Sequence, residues 1–194
     1  MRITGGKARS ISINCPKGNW VRPATDRMRE AVFSSLGDRV LNAHFLDLFA
    51  GAGSYGLEAI SRGARSGVFV DANRSATAFI HENLKRVIKS VAEESLKVHS
   101  FKVKSQQTEK FLSFYEQETS KVDIVFIDPP YDQVSGSYFK ILEKLTPLFE
   151  AQAEGWIVLE SPESLDKFPE GYELIKTLGK EDTRGLILRW TDGT

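Results

Sequence analysis

The stretch Phe45-Leu-Asp47-Leu-Phe-Ala-Gly51-Ala-Gly53-Ser-Tyr-Gly56 decides the fold. Phe45 to Phe49 is a short apolar run of strand length that feeds directly into three glycines spaced GxGxxG. A helix through Leu57 and Ile60 follows and stops near Gly63. The alternation then repeats. Apolar runs at Gly67–Val70, Leu96–Val103, Val122–Ile127 and Trp156–Glu160 read as strands, and helices fall near 73–91, 109–116 and 136–149. Two further strands, Tyr172–Thr177 and Leu186–Trp190, close the chain. Strands alternating with helices mean a mostly parallel sheet wound on both faces, a doubly wound Rossmann-like α/β fold.

Upstream, Gly5-Gly6 between Arg2–Thr4 and Ser10–Asn14 predicts a small hairpin. Thr25 caps a helix running to about Leu36, with Gly37 as its stop. Residues 1–40 are thus expected to form a hairpin-and-helix extension, and 41–194 the main domain. The 194 residues carry 26 basic and 26 acidic side chains, but the balance is uneven. Residues 1–40 hold Arg2, Lys7, Arg9, Lys17, Arg22, Arg27, Arg29 and Arg39 against Asp26, Glu30 and Asp38. A cationic extension on a neutral protein suits a polyanion partner, although a solvated surface has the same composition. With 41% apolar and 27% charged residues the chain is of globular type. One cysteine, Cys15, excludes an internal disulfide framework and suits a reducing cytoplasm. No apolar run reaches the roughly 20 residues of a membrane span. No signal peptide is expected, because the N-terminus lacks an apolar stretch.

In such sheets ligands sit beyond the carboxyl ends of the strands. The glycine turn lies there, as does Asp71 at the end of the second run, where an acid can bind both hydroxyls of a ribose. A dinucleotide would bring its pyrophosphate against Asp47, anion beside anion. S-adenosylmethionine brings a sulfonium and an α-ammonium instead, and fits the acid better. The fourth run ends in Asp128-Pro129-Pro130-Tyr131, where two prolines end the ladder and turn its last carbonyls outward. Asp128 and the Pro129 carbonyl can accept both hydrogens of an aryl amine, favouring a pyramidal nitrogen whose lone pair points at a methyl donor. Tyr131 is placed to stack on an extruded base.

Together the glycine segment and Asp128-Pro-Pro-Tyr131 resemble a class I S-adenosylmethionine-dependent amino-methyltransferase. Met1-Arg-Ile-Thr-Gly-Gly-Lys7 and Val21-Arg-Pro-Ala-Thr-Asp-Arg-Met-Arg-Glu30 narrow the resemblance to the bacterial RsmD family of 16S rRNA (guanine(966)-N(2))-methyltransferases. The resemblance implies seven strands, with the last antiparallel and inserted beside the fifth. It implies transfer to a guanine N2 in 16S rRNA within the small subunit or an assembly intermediate, by a cytoplasmic monomer that leaves S-adenosylhomocysteine. By position, Asp47, Gly51 and Gly53 would hold the methionine end and Asp71 the ribose, with Arg27 near the cofactor carboxylate. Arg2, Lys7, Arg9, Arg22 and Arg29 would face RNA. Two positions depart from the family pattern: Asp71 replaces the usual Glu, and Gln107 stands where Asp or Asn often meets the adenine amine.

Other residues read more plainly. His44, His81 and His99 lack metal-ligand spacing, and no metal is expected. Lys85, Arg86 and Lys89 fall on the solvent side of their helix. Tyr55 either borders the pocket or covers the helix start, and Trp20 is either a stacking residue or core. Two other functions fit parts of the pattern. One is a DNA adenine-N6 or cytosine-N4 methyltransferase, for which a recognition domain is missing. The other is a non-catalytic RNA-binding assembly factor.

Overall fold

The computed structural model describes residues 1–15, 25–91, 100–115, 121–130, 134–150, 154–162, 165, 167–180 and 183–191. Seven strands form one sheet in the order β3-β2-β1-β4-β5-β7-β6. They are β1 (His44–Leu48), β2 (Ser66–Asp71), β3 (Phe101–Ser105), β4 (Ile124–Ile127), β5 (Glu154–Ser161), β6 (Tyr172–Lys180) and β7 (Thr183–Thr191). The helices are α1 (Asp26–Leu36), α2 (Ser54–Ser61), α3 (Arg74–Val91), α4 (Thr108–Tyr115) and α5 (Val134–Glu150). β7 lies antiparallel between β5 and β6, the arrangement the family resemblance implied. The β1–β5 ladders are parallel throughout.

Successive residues of a strand face opposite sides, and here the two faces are covered by different helices. Phe45, Phe69, Phe101, Phe126 and Val158 pack against α1, α2, α3 and the N-terminal segment. Leu48, Val70, Ile127 and Leu159 pack against α4 and α5. The first face is an aromatic layer. Phe45 meets Phe69 edge-on at 5.3 Å, and Tyr55 of α2 stacks on Phe126 at 5.2 Å and 15°. Such pairs add about 0.5–1.5 kcal/mol to their area burial. Gly56 makes the layer possible, since a Cβ there would come within 2.3 Å of the Phe69 ring.

The N-terminal segment turns back at Gly5-Gly6 as expected. Arg2 and Ser12 form an antiparallel bridge, and the arms exchange the Ile3 N–H to Ile11 carbonyl (2.9 Å), Ser10 N–H to Ile3 carbonyl (2.9 Å) and Ile13 N–H to Met1 carbonyl (3.0 Å) bonds. The core holds it as well, with Ile3, Ala8 and Ile13 buried in the α1–α3 layer. The fully buried Glu58 of α2 accepts hydrogen bonds from the Thr4 N–H (2.8 Å), the Thr4 hydroxyl (2.7 Å), the Gly5 N–H (2.8 Å) and Arg62 Nε (2.9 Å). Asn83 of α3 forms a second tie. Its amide donates to the carbonyls of Asn14 (2.8 Å) and Ala52 (3.1 Å) and accepts from the Asn14 N–H (2.9 Å), fastening the segment to the glycine turn.

The third strand begins later than expected, at Phe101, and residues 92–99 lie outside the described set. Arg86 is half-buried and donates to Asn83, so it is not on the solvent side as expected. No described helix is long and apolar enough to cross a membrane. Replacing Glu58 by Ala strands four donors and the nearby Arg29 charge; denaturant unfolding should show a loss of about 3–5 kcal/mol.

Candidate active site

Four neighbouring parallel strands, β2, β1, β4 and β5, each carry an acid at the carboxyl end: Asp71, Asp47, Asp128 and Glu160. The register aligns them. Phe69, Asp47, Phe126 and Val158 form one cross-strand row, and Asp71, Asp128 and Glu160 lie two residues further along the same face. The glycine turn leaves the sheet from β1 and the Asp-Pro-Pro turn leaves from adjacent β4, so both open on one edge. The Asp128 N–H still reaches the Leu48 carbonyl at 3.5 Å.

The turn out of β1 is strained. Phe49, Gly51 and Gly53 have φ of 59°, 54° and 84°, all left-handed. Glycine takes this conformation freely, but a residue such as Phe49 does so only where its surroundings enforce it. The sheet supplies that enforcement through the Ala50 N–H to Val70 carbonyl bond (3.0 Å) and the Gly53 N–H to Ala50 carbonyl bond (2.7 Å). Asp71 clasps the turn, accepting the Gly51 N–H at 2.8 Å and the Asn73 N–H at 2.7 Å. Asp47 accepts the Gly56 N–H at 2.9 Å, one of the first-turn donors that α2 leaves unpaired.

Burial is the main electrostatic fact. It pushes the Asp47 carboxyl up to about 8, with the Gly56 bond opposing and Asp71 adding. Burial, then Glu160 and Asp47, holds Asp128 well above the usual carboxylate range. Burial raises Glu160 too, against the pull of a Tyr55 hydrogen bond and the Arg29 guanidinium. Tyr55 donates its hydroxyl to Glu160, and burial with these acids raises its own pKa. Among the described residues none of the four acids forms an ion pair. Burial thus pushes the Asp47, Asp128 and Glu160 carboxyls toward their neutral forms at an edge with no paired cation among those residues. A cationic ligand arriving there would favour their ionisation, whereas a pyrophosphate would oppose it.

Gln107 stands at the same edge, two residues past Ser105, which pairs with Asp71; its side chain is exposed. Pro129 is buried, whereas Tyr131, Arg22 and Trp20 lie outside the described residues. Arg27 is exposed on the first turn of α1. Arg2 is exposed, 3.6 Å from Asp26. Lys7 and Arg9 are exposed on the turn bonded to Ser61, at the far end of α2 and about 12 Å of helix from the acids. Arg29 corrects the expectation of an RNA-facing cation, since it is fully buried. It donates to the Arg2 carbonyl (2.6 Å) and Asp26 (2.7 Å) and lies 3.9 Å from Glu58. Its place on the inner stripe of α1, beside Met28 and Val32, turns it into the core. Both ring nitrogens of His44 are occupied, by Ser66 (2.7 Å) and Tyr115 (2.9 Å). Among the described residues no cluster of His, Cys, Asp and Glu could hold a metal.

The family model described as conserved hypothetical protein 95 matches residues 1–186. The chain belongs to the RsmD family of class I S-adenosylmethionine-dependent methyltransferases. It is 32% identical over 161 residues to ribosomal RNA small subunit methyltransferase D of Escherichia coli K12, covering 83% of this chain and 71% of that one. The solved structure of yhhF from Escherichia coli superposes with a TM-score of 0.77 at 26% identity, over 100% of this chain and 99% of the other. A methyltransferase solved in complex with S-adenosylhomocysteine shares the fold at a TM-score of 0.67 and 13% identity, over 84% of this chain and 48% of its own. Glu160 completes an acid row of which sequence reading supplied three members, and Tyr55, read as either bordering the pocket or covering the helix start, is hydrogen-bonded to it. The missed signal was an acid closing the next consecutive strand.

A carboxyl raised in the folded state favours folding below its unfolded pKa and loses that contribution as pH climbs to the folded value. The ligand-free protein should therefore lose stability as pH rises from about 4 to about 8. Asp47→Asn should flatten part of that slope in thermal unfolding, leaving the part due to Asp128 and Glu160.

Proposed function

We propose that this protein transfers a methyl group from S-adenosylmethionine to the exocyclic N2 of a guanine in 16S rRNA, position 966 by family likeness. Its substrate on this reading is the small ribosomal subunit or an assembly intermediate. One observation carries the reading: the glycine turn of β1 and the Asp128-Pro129 turn of β4 are neighbours on one carboxyl-lined edge. The printed name of the Escherichia coli relative, a small-subunit rRNA methyltransferase, supports the substrate class.

The residues fit the donor. Asp47 and Asp71 offer carboxylates without paired cations, and the strained turn offers open backbone at Gly51 and Gly53. When bound, S-adenosylmethionine supplies a methyl group activated by its sulfonium, beside which Asp47 regains its ionised form. Asp71, already clasping the turn, takes the ribose hydroxyls, and Gln107 lies on the adenine side. Arg27 is the exposed cation nearest the start of α1 for the cofactor carboxylate.

On the other side Asp128 and the Pro129 carbonyl accept the two N2 hydrogens and hold the nitrogen lone pair toward the methyl. Positioning and electrostatics carry this step, with no covalent intermediate. Tyr131 takes the stacking role that the Asp-Pro-Pro-Tyr motif assigns it. Arg2, Arg22, Lys7 and Arg9 would contact phosphates of the RNA, Lys7 and Arg9 from the turn at the far end of α2.

Transfer of labelled methyl to small subunits lacking the modification tests this reading. Asp128→Ala should lower the rate about 10²- to 10³-fold while S-adenosylhomocysteine binding persists in calorimetry. Efficient transfer to duplex DNA, or full activity of the variant, would overturn it.

A further inference from the structure

We infer that Glu160 reads the target base, accepting the N1–H of guanine beside the amine held by Asp128 and Pro129. The inference rests on the amino-methyltransferase reading above and adds a specificity determinant to it.

Placement comes first. In the order β2-β1-β4-β5, Asp71 and Asp47 lie on one side of Asp128 and Glu160 on the other. The donor occupies the first side, so the second belongs to the acceptor base. Ile127 pairs with Leu159, which puts Glu160 level with Asp128 on a strand about 4.8 Å away. Three acceptors thus stand together: the Asp128 carboxylate, the Pro129 carbonyl and the Glu160 carboxylate.

Base chemistry then discriminates. The Watson–Crick edge of guanine presents three adjacent hydrogens, two on N2 and one on N1. Adenine and cytosine present an amine next to a ring nitrogen lone pair, which would face the Glu160 carboxylate unpaired. A site built to accept a substrate N–H rejects an analogue lacking it, because its own buried group is left without a partner.

The surroundings hold Glu160 in place, and Tyr55 and Arg29 oppose the upward push of burial on its carboxyl. Tyr55 donates its hydroxyl to one carboxylate oxygen, and Tyr138 donates to the backbone carbonyl at 2.9 Å. Arg29 lies behind, drawing the acid toward its charged form without pairing with it. Glu160 is 7% exposed, so an unpaired carboxylate oxygen there has little water to satisfy it.

The experiment uses small subunits reconstituted with either guanine or 2-aminopurine at the nucleotide the enzyme modifies. 2-Aminopurine keeps the N2 amine and exposes a lone pair at N1. The wild type should favour guanine roughly 10- to 100-fold in kcat/KM, the worth of one hydrogen bond to a charged group. In Glu160→Gln the amide can turn its N–H₂ toward that lone pair, so the preference should shrink severalfold or more, with unchanged S-adenosylhomocysteine affinity. 2-Aminopurine also lacks O6, but that loss is common to both enzymes and cancels when their ratios are compared. Tyr55→Phe, which frees Glu160 from its tether, should relax the preference in part. Equal use of both bases by the wild type overturns the inference, as does a Glu160→Gln enzyme slowed equally on both. Methylation of neither base by the wild type overturns instead the functional reading beneath it.

Discussion

Four carboxyl groups crowded at one sheet edge, without a paired cation among the described residues, govern this molecule. Four carboxylates close four adjacent strands, and burial raises at least three of them. A protein evolving for stability alone would place a lysine among them or replace them by apolar residues. Their presence together makes sense on the proposed reading, where a cationic donor on one side and a base rich in N–H on the other complete the electrostatics. The site is then preorganised against its own ground state, the arrangement expected of a group that must hold charge only when ligands arrive.

The rest of the fold keeps that edge rigid. Phe45, Phe69 and Phe126 form a layer whose rings close up to α2 because Gly56 lacks a side chain, and this sets where the glycine turn begins. Asn83 ties the same turn to Asn14, and Glu58 ties α2 to Thr4 and Gly5. Displacing the N-terminal segment would therefore loosen α2 and the cofactor turn together. The segment that the sequence marks as an appendage is structurally part of the site's foundation.

How much of this was legible depended on whether the information was periodic or three-dimensional. Alternating apolar runs and glycine stops located the strands and helices to within a few residues, because those patterns are local consequences of burial. Asp47, Asp71 and Asp128 were legible because each stands beside a chain-turning motif. Glu160 has no such marker: it ends an apolar run as an ordinary terminal residue would, and only the register with β4 shows its neighbour. Phe49 could not be read as left-handed, since its side chain disfavours that conformation and the sheet alone imposes it. Arg29 misled because charge counting treats every arginine as surface. Its spacing with Met28 and Val32 on the buried stripe of α1 was the contrary signal.

Arg29 also shows why the acid row stays available. A guanidinium inserted among Asp47, Asp128 and Glu160 would neutralise them and remove the reason for a cation to bind. Here the Arg29 fork is committed to the Arg2 carbonyl, Asp26 and the neighbourhood of Glu58. Its field reaches Tyr55 and Glu160 from behind the aromatic layer. It offsets part of the effect of burial on Glu160 and Tyr55 while forming, among the described residues, no ion pair with the acid row. A positive charge held one layer away thus opposes the effect of burial on Glu160 without forming an ion pair with it, and the N-terminal segment helps hold that charge by supplying one of Arg29's acceptors.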